Sequence, residues 1–377
     1  MTDDDNEINL RVPGPTPLPP EVREALSRQM MNHRGPEFEA IMREVHQDLR
    51  HFFATDNPVL TFPAAGTGGL EATIVNLLSP GDRVVAVSVG VFGDRFGDIA
   101  AAFGLAVQRI SYPMGQATVA ADVAAALEQD PTVRAVLVTQ NETSTGVLND
   151  VESIAHAVRE ARPDVLLLVD GISALGAAPL LTDAWDIDVV VTGSQKSWMV
   201  PPGMAMLSVS ERAWAAHREA RLPRYYWDFT AARKANDSAV PPYTPAVSLY
   251  YALQTALRMM RAEGREAIWA RHAAVAAHTR AGVKGLGLEP FADPAHPSPS
   301  VTSVRVPDGV DAKRLLREAR EGHGVVFAEG QRELSGRIIR IGHLGWVRED
   351  DIDGALGALA MCLAAQGWAR EVQNALS

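Results

Sequence analysis

The chain has 377 residues, a formal net charge of −11 and 47% hydrophobic residues, enough for two domains or one large α/β domain with an appendage. An acidic balance without any Lys/Arg cluster argues against a nucleic-acid surface, which would carry a basic face. One cysteine, Cys362, leaves no intrachain disulfide and no cysteine-rich metal site, and fits a reducing cytoplasmic setting.

The opening Met1-Thr2-Asp3-Asp4-Asp5-Asn6-Glu7 is acidic where a secretory signal is basic and then apolar. No segment approaches the roughly 20 apolar residues of a membrane span. Residues 11–20, RVPGPTPLPP, are too proline-rich for a helix or a central strand, so residues 1–20 are expected to form an extended arm. Residues 21–53 predict helix, broken at Asn32-His33-Arg34-Gly35-Pro36, where Arg34 is a loop or surface arginine. After the strand-like run 59–62, Pro63-Ala64-Ala65-Gly66-Thr67-Gly68-Gly69 opens a helix reaching about Leu78. Such a turn exposes backbone N–H groups at the positive end of the helix dipole and suits a phosphate. It is not the dinucleotide fingerprint, because Glu71 stands where GxGxxG would need glycine.

Residues 83–89 predict a strand leading into Gly90-Val91-Phe92-Gly93-Asp94-Arg95. Phe92, flanked by glycines, is either core or a flat partner for a flat ligand. Residues 135–139 predict another strand, ending in the hydroxyl-rich Gln140-Asn141-Glu142-Thr143-Ser144-Thr145-Gly146, and a helix follows over 151–161. Residues 165–169 and 187–191 are near-continuous apolar runs, the pattern of parallel strands covered on both faces. The first ends in Asp170; the second delivers Thr192-Gly193-Ser194-Gln195-Lys196. Ligands of open α/β sheets collect at such carboxyl ends. Asp170 and Lys196 there are either a structural ion pair capping two strands or a pyridoxal phosphate site, which needs an amine for a Schiff base and a carboxylate for the ring nitrogen. GSQKS is not a P-loop, since Gln195 replaces the glycine before the lysine.

A proline turn at 200–203 precedes a strand at 204–209, and the region 221–245 is rich in aromatics and proline. Residues 246–282 predict a long helix interrupted at Gly264, entering a smaller carboxyl-terminal domain. There strands are expected at 300–306, 325–327 and 338–342, and helices at 311–320 and 350–365 with Cys362 on the packed side, an α+β order. Strand alternation turns Arg340 outward, where a solvated arginine is the ordinary outcome. His272 and His278 do not share a helix face, and no HExxH, GxSxG or calcium-loop motif occurs.

VDGISALG (169–176) followed by TGSQK (192–196) resembles the class V aminotransferases of the fold-type I pyridoxal phosphate enzymes, the alanine–glyoxylate, serine–glyoxylate and serine–pyruvate group. The resemblance extends over nearly the whole chain. It implies an α/β fold with a mostly parallel large domain over 21–260, a smaller α+β domain over 261–377, and the arm along the active-site mouth. It implies pyridoxal 5'-phosphate on Lys196, with Asp170 at the ring nitrogen and the phosphate on Ala65, Gly66 and Thr67. Ile172 and Gln195 would border the cofactor, Phe92 would stack on its ring and Thr143 would donate to its ring oxygen. Ala65 and Thr67 depart from the family's serine and histidine. Thr244 matches a threonine that reaches the partner's phosphate across a homodimer; Pro241 stands where some relatives have tyrosine, and Tyr243 is a candidate substitute. Arg340, in Arg340-Ile341-Gly342-His343-Leu344-Gly345, would clamp the substrate carboxylate, with Gly14 beside it.

The implied activity is a ping-pong transamination from alanine or serine to a 2-oxo acid, glyoxylate or pyruvate. Aminoethylphosphonate or pyridoxamine is the alternative donor. A lyase of the cysteine desulfurase or kynureninase kind shares the fold, but a desulfurase needs a mobile nucleophilic cysteine. A non-catalytic cofactor-binding regulator would carry an added DNA-binding module.

Overall fold

The two apolar runs form adjacent parallel strands near the centre of a seven-stranded sheet. The structure is a computed structural model and describes residues 8–368; the acidic residues 1–7, the start of the expected arm, lie outside the described residues. From the amino end come β1 (Asn9–Arg11), α1 (Pro20–Leu26), α2 (Pro36–Phe53), β2 (Val59–Phe62), α3 (Gly66–Leu77), β3 (Arg83–Ser88) and α4 (Val91–Ala102). Next are β4 (Ala106–Ser111), α5 (Ala120–Gln129), β5 (Val133–Thr139), the short β6 (Asn141–Glu142) and β7 (Val147–Leu148), and α6 (Val151–Ala161). The centre is completed by β8 (Leu166–Asp170), β9 (Val189–Gly193), β10 (Ala205–Val209), α7 (Glu211–Glu219), α8 (Phe229–Ser238) and α9 (Val247–Glu263). The chain ends with α10 (Arg265–Gly285), β11 (Val301–Arg305), α11 (Ala312–His323), β12 (Val325–Glu329), β13 (Ile338–Gly342) and α12 (Glu349–Ala365).

The large sheet has the order β2-β10-β9-β8-β5-β3-β4, with β10 antiparallel to both its neighbours and the pairs from β9 to β4 parallel. Side-chain alternation explains the unbroken apolar runs. Leu167, Val169 and Val190 enter a core shared with α2, α6 and α9. Leu166, Leu168, Val189 and Val191 enter a second core with α3 and α4 on the other face. With both faces covered, every position of β8 and β9 is buried. The next step of alternation turns Asp170 to the α3 face at the strand's carboxyl end.

The smaller sheet, β1-β12-β13-β11, is mixed and packs against α11 and α12 around Ile339, Ile341, Leu315, Leu359 and Cys362. Three residues of the arm belong to it: β1 runs parallel to β12, Asn9 opposite Val325. Helices α9 and α10 break at Gly264, which has φ 90°. One expectation fails. Arg340 is not solvated but 6% exposed. Ile339 and Ile341 fill the small-domain core, and the face that Arg340 shares meets the large domain instead of water. Among the described residues, no helix is long and apolar enough to cross a membrane.

Candidate active site

One cavity of about 210 Å³ lies at the carboxyl ends of β5, β8 and β9, and Ala65, Gly66, Thr67, Phe92, Thr143, Asp170, Ile172, Gln195 and Lys196 all line it. Lys196 leaves β9 on a clamped loop. Ser194 donates from its backbone to Met204 O at 2.9 Å and from Oγ to Pro201 O at 2.6 Å, while the buried Trp198 donates from Nε1 to Thr192 Oγ1 at 2.9 Å. These bonds fix the lysine's backbone before any ligand contributes.

Asp170 accepts from Ile172 N at 2.9 Å and makes only a long 3.5 Å contact with Thr139 Oγ1. Burial pushes its carboxyl up to about 7, against the pull of the Ile172 N–H, Lys196 and Arg95. Burial likewise pulls the Lys196 amine down to about 8, aided by Arg340 and Arg95 and opposed by Asp170. The site therefore holds an acid and an amine that both titrate near neutral pH.

Helix α3 begins at Gly66 with Ala65 as an N-cap that supplies no side-chain bond. Gly66 and Thr67, whose amides have no partner within the helix, lie in the cavity wall at the positive end of the dipole. A Cβ at Gly66 would lie 2.5 Å from Ile172 Cδ1, so this turn sits directly against the segment after Asp170. Phe92 lies in the first turn of α4, a helix not anticipated, and the Arg95 guanidinium sits 4.8 Å from its ring centroid.

The arm lies against the Lys196 loop. Lys196 Nζ donates to Pro13 O at 2.5 Å, Thr16 N donates to Gln195 O at 3.2 Å, and Thr16 Oγ1 donates to Lys196 O at 3.0 Å. Gly14 has φ 130°, and a side chain there would meet Lys196 Nζ at 2.6 Å, so both backbone shape and space require glycine. Arg340 donates from Nε to Glu329 O at 2.9 Å and from Nη1 to Thr143 O at 3.2 Å, which ties the small domain to the Thr143 loop.

The family model for class-V aminotransferases matches residues 8–341. The chain belongs to the class-V aminotransferase family. It is thus an enzyme, a transaminase. It is 44% identical to a protein named soluble hydrogenase, small subunit, of Synechococcus sp. (strain PCC 6716), over 95% of this chain and 94% of that one. It is 36% identical to the L-aspartate–glyoxylate aminotransferase of Paracoccus denitrificans, over 94% and 91%. The crystal structure of pyridoxamine-pyruvate aminotransferase from Mesorhizobium loti superposes with a TM-score of 0.93 at 32% identity, covering 100% of this chain and 98% of that one.

Class-V membership implies pyridoxal phosphate, and the donor set of this aminotransferase fits it. The cavity offers an amine, a carboxylate and an uncapped helix N-terminus. It also contains two buried side-chain oxygens with no protein partner, Gln195 Oε1 and Asn141 Oδ1. Buried polar groups are rarely left unbonded, so such atoms mark where a ligand's polar groups belong. Thr143 Oγ1 already bonds Ser173 Oγ at 2.6 Å, and Ser173 also accepts from Asn141 Nδ2 at 3.0 Å.

Other expected residues stand apart. Thr244 is exposed and, with Tyr243 and Pro241, lines a separate cavity of about 50 Å³ beside Tyr226 and His46. Arg34 is exposed, as expected of a surface arginine. Sequence reasoning gave no role to Arg95, Asn141 or Ser173, all in the cavity wall, nor to Glu142 behind it. Arg95 was within reach: three residues after Phe92, it shares that helix face once α4 is recognised.

Proposed function

We propose that this enzyme is a pyridoxal-phosphate-dependent transaminase that moves an amino group from a small amino acid, alanine or serine, to glyoxylate or pyruvate. The observation that carries the proposal is Lys196 and Asp170 in one buried cavity, bordered by the α3 N-terminus, with Arg340 outside its lining but close enough for its charge to act on Lys196. When bound, the cofactor supplies an electrophilic carbon and a ring able to take up an electron pair. Lys196 provides the amine that holds it. Released, that amine titrates near neutral pH and serves to remove and return the proton at the substrate's α-carbon.

Asp170 keeps the ring nitrogen protonated, for which a carboxylate with one short bond has lone pairs to spare. The α3 amides and Gln195 receive the phosphate. Phe92 would stack on the ring, Ile172 would border the face next to Gly66, and Thr143 would exchange its bond to Ser173 for one to the ring oxygen. Arg340, held by two carbonyls, presents its remaining donors to the substrate carboxylate, beside Gly14. The arm's Pro13 carbonyl orients the Lys196 amine and helps exclude water.

A two-fold dimer belongs to the same proposal. Thr244 and Tyr243 do not line their own chain's Lys196 cavity, and Tyr225 nearby is 79% exposed, so the segment is free to complete a second copy's site. A desulfurase-type lyase is disfavoured, because Cys362 is 1% exposed inside the small-domain core. The hydrogenase name of the Synechococcus relative finds no support in the donor set. One cysteine cannot ligate an iron–sulfur cluster, and among the described residues no three His, Cys, Asp or Glu group to hold a metal.

The test is a panel of alanine, serine, aspartate, aminoethylphosphonate and pyridoxamine against glyoxylate and pyruvate. Alanine or serine with glyoxylate or pyruvate should give the highest kcat/KM, and Arg340→Ala should raise KM for both acids by about 10- to 100-fold, the range for losing a charged hydrogen bond. Preference for pyridoxamine or aminoethylphosphonate would reassign the donor, and an unchanged KM would place the carboxylate elsewhere.

A further inference from the structure

One buried charge beside the cavity has no part in the chemistry above. Glu142, at the end of β6, is 0% exposed. Its Oε2 accepts from Phe92 N and Gly93 N, both at 3.0 Å. Its Oε1 accepts from Ser144 N at 3.0 Å and Ser144 Oγ at 2.6 Å, and Ser144 Oγ in turn accepts from Val91 N at 3.1 Å. The carboxylate thus caps the first turn of α4 and joins it to the loop carrying Thr143. There is no slack in this contact, since a Cβ at Gly90 would fall 2.6 Å from Glu142 Cγ.

Three backbone N–H groups and one hydroxyl converge on the two oxygens, an array that favours the ionised form. Burial pushes the carboxyl up, and the Ser144, Gly93 and Phe92 bonds oppose that push. The same loop bonds Arg340 through the Thr143 carbonyl. One carboxylate therefore connects the turn bearing Phe92, the loop bearing Thr143 and the guanidinium of the small domain.

We propose that Glu142 is a positioning residue of the transaminase site: its carboxylate locks the Phe92 turn to the Thr143 loop and so sets the placement of the aromatic ring and of Arg340. The proposal rests on Lys196 carrying the cofactor. Glu142 also contributes charge. The groups that share its surroundings are Asp170 at the end of β8, Lys196 on the loop after β9, Arg95 on α4 and Arg340 on β13. Neutralising Glu142 makes Asp170 easier to ionise and weakens the hold on the Arg340 charge, and both of these groups act on Lys196. Glutamine cannot replace it without strain, because its amide would set N–H either against the N–H groups of Phe92 and Gly93 or against the N–H of Ser144.

The experiment uses the holoenzyme and the variants Glu142→Gln, Glu142→Asp and Ser144→Ala. Two quantities are read: the pH midpoint of the bound cofactor's visible absorbance, without turnover, and kcat and KM for the oxo acid. Glu142→Gln should keep the absorbance, shift its midpoint by about half a pH unit or more, and raise KM about tenfold, with kcat less affected. Glu142→Asp should restore the midpoint but not KM, since it keeps the charge and loses the reach. Ser144→Ala should keep the midpoint and raise KM by a smaller factor. If Glu142→Gln shows the wild-type midpoint and KM, whatever its melting temperature, the proposal is overturned. Should that variant fail to fold, a wild-type KM in both Glu142→Asp and Ser144→Ala overturns it equally. Absence of a visible absorbance in the wild-type holoenzyme would instead remove the assignment of Lys196.

Discussion

The two ends of the central parallel strands each bury an aspartate, and the two are treated oppositely. At the amino-terminal end, Asp188 is 0% exposed and saturated: it accepts from Arg159 at 2.7 Å, Arg212 at 2.8 Å, Leu167 N at 2.8 Å and Ser210 Oγ at 2.7 Å. At the carboxyl end, Asp170 is 3% exposed and has one short bond, to Ile172 N. The sheet itself is the same at both ends. What separates scaffold from reactive site is how much hydrogen-bonding capacity is left over, and at Asp170 the remainder faces a cavity that also holds Lys196.

If this contrast holds, the two aspartates should fail in different ways. Asp188→Ala strands two arginines against a buried site and should cost about 3–5 kcal/mol of stability, read by denaturant unfolding, while kcat of the folded fraction stays near wild type. Asp170→Asn should leave the melting temperature close to wild type and retain the cofactor, yet lower kcat by about 100- to 1,000-fold, the range for losing a preorganised electrostatic contact. Exchange of these two phenotypes would break the comparison.

Saturation elsewhere sharpens it through pH. Burial pulls His46 down to about 4 and both His272 and His343 to about 3. The bonding fits neutral rings: His272 Nε2 accepts from Gly345 N at 3.0 Å. In the unfolded chain these rings take up protons below about 6.5, whereas the folded protein resists until pH 4 or 3, so stability falls as pH drops through that window. At pH 5 the loss is about 2 kcal/mol for each buried ring. Thermal melts at pH 7, 6 and 5 should show it, and a melting temperature that rises toward pH 5 would contradict it.

Much of the large domain was legible because its cause is local. An apolar run without alternation says that both faces are covered, and two such runs bring Asp170 and Lys196 to one rim. The helix over 151–161 carried its own cap, since Asp150 accepts from Ser153 N at 3.0 Å. What stayed hidden depends on contacts distant in sequence. Alternation put Arg340 opposite the small-domain core, but nothing nearby announces that Thr143 and the large domain cover that face. Nor does a proline-rich arm reveal that Asn9–Arg11 pairs with β12. Glu142 reads as one polar residue in a polar loop until the first turn of α4 comes to rest on it.

The covalent assignment is the most exposed part of the account. Borohydride reduction of the purified holoenzyme, followed by digestion and mass spectrometry, tests it directly. The expected result is a reduced cofactor adduct on the peptide carrying Lys196 and on no other lysine. An adduct on a different lysine, or none in a protein that retains the visible absorbance, would contradict it.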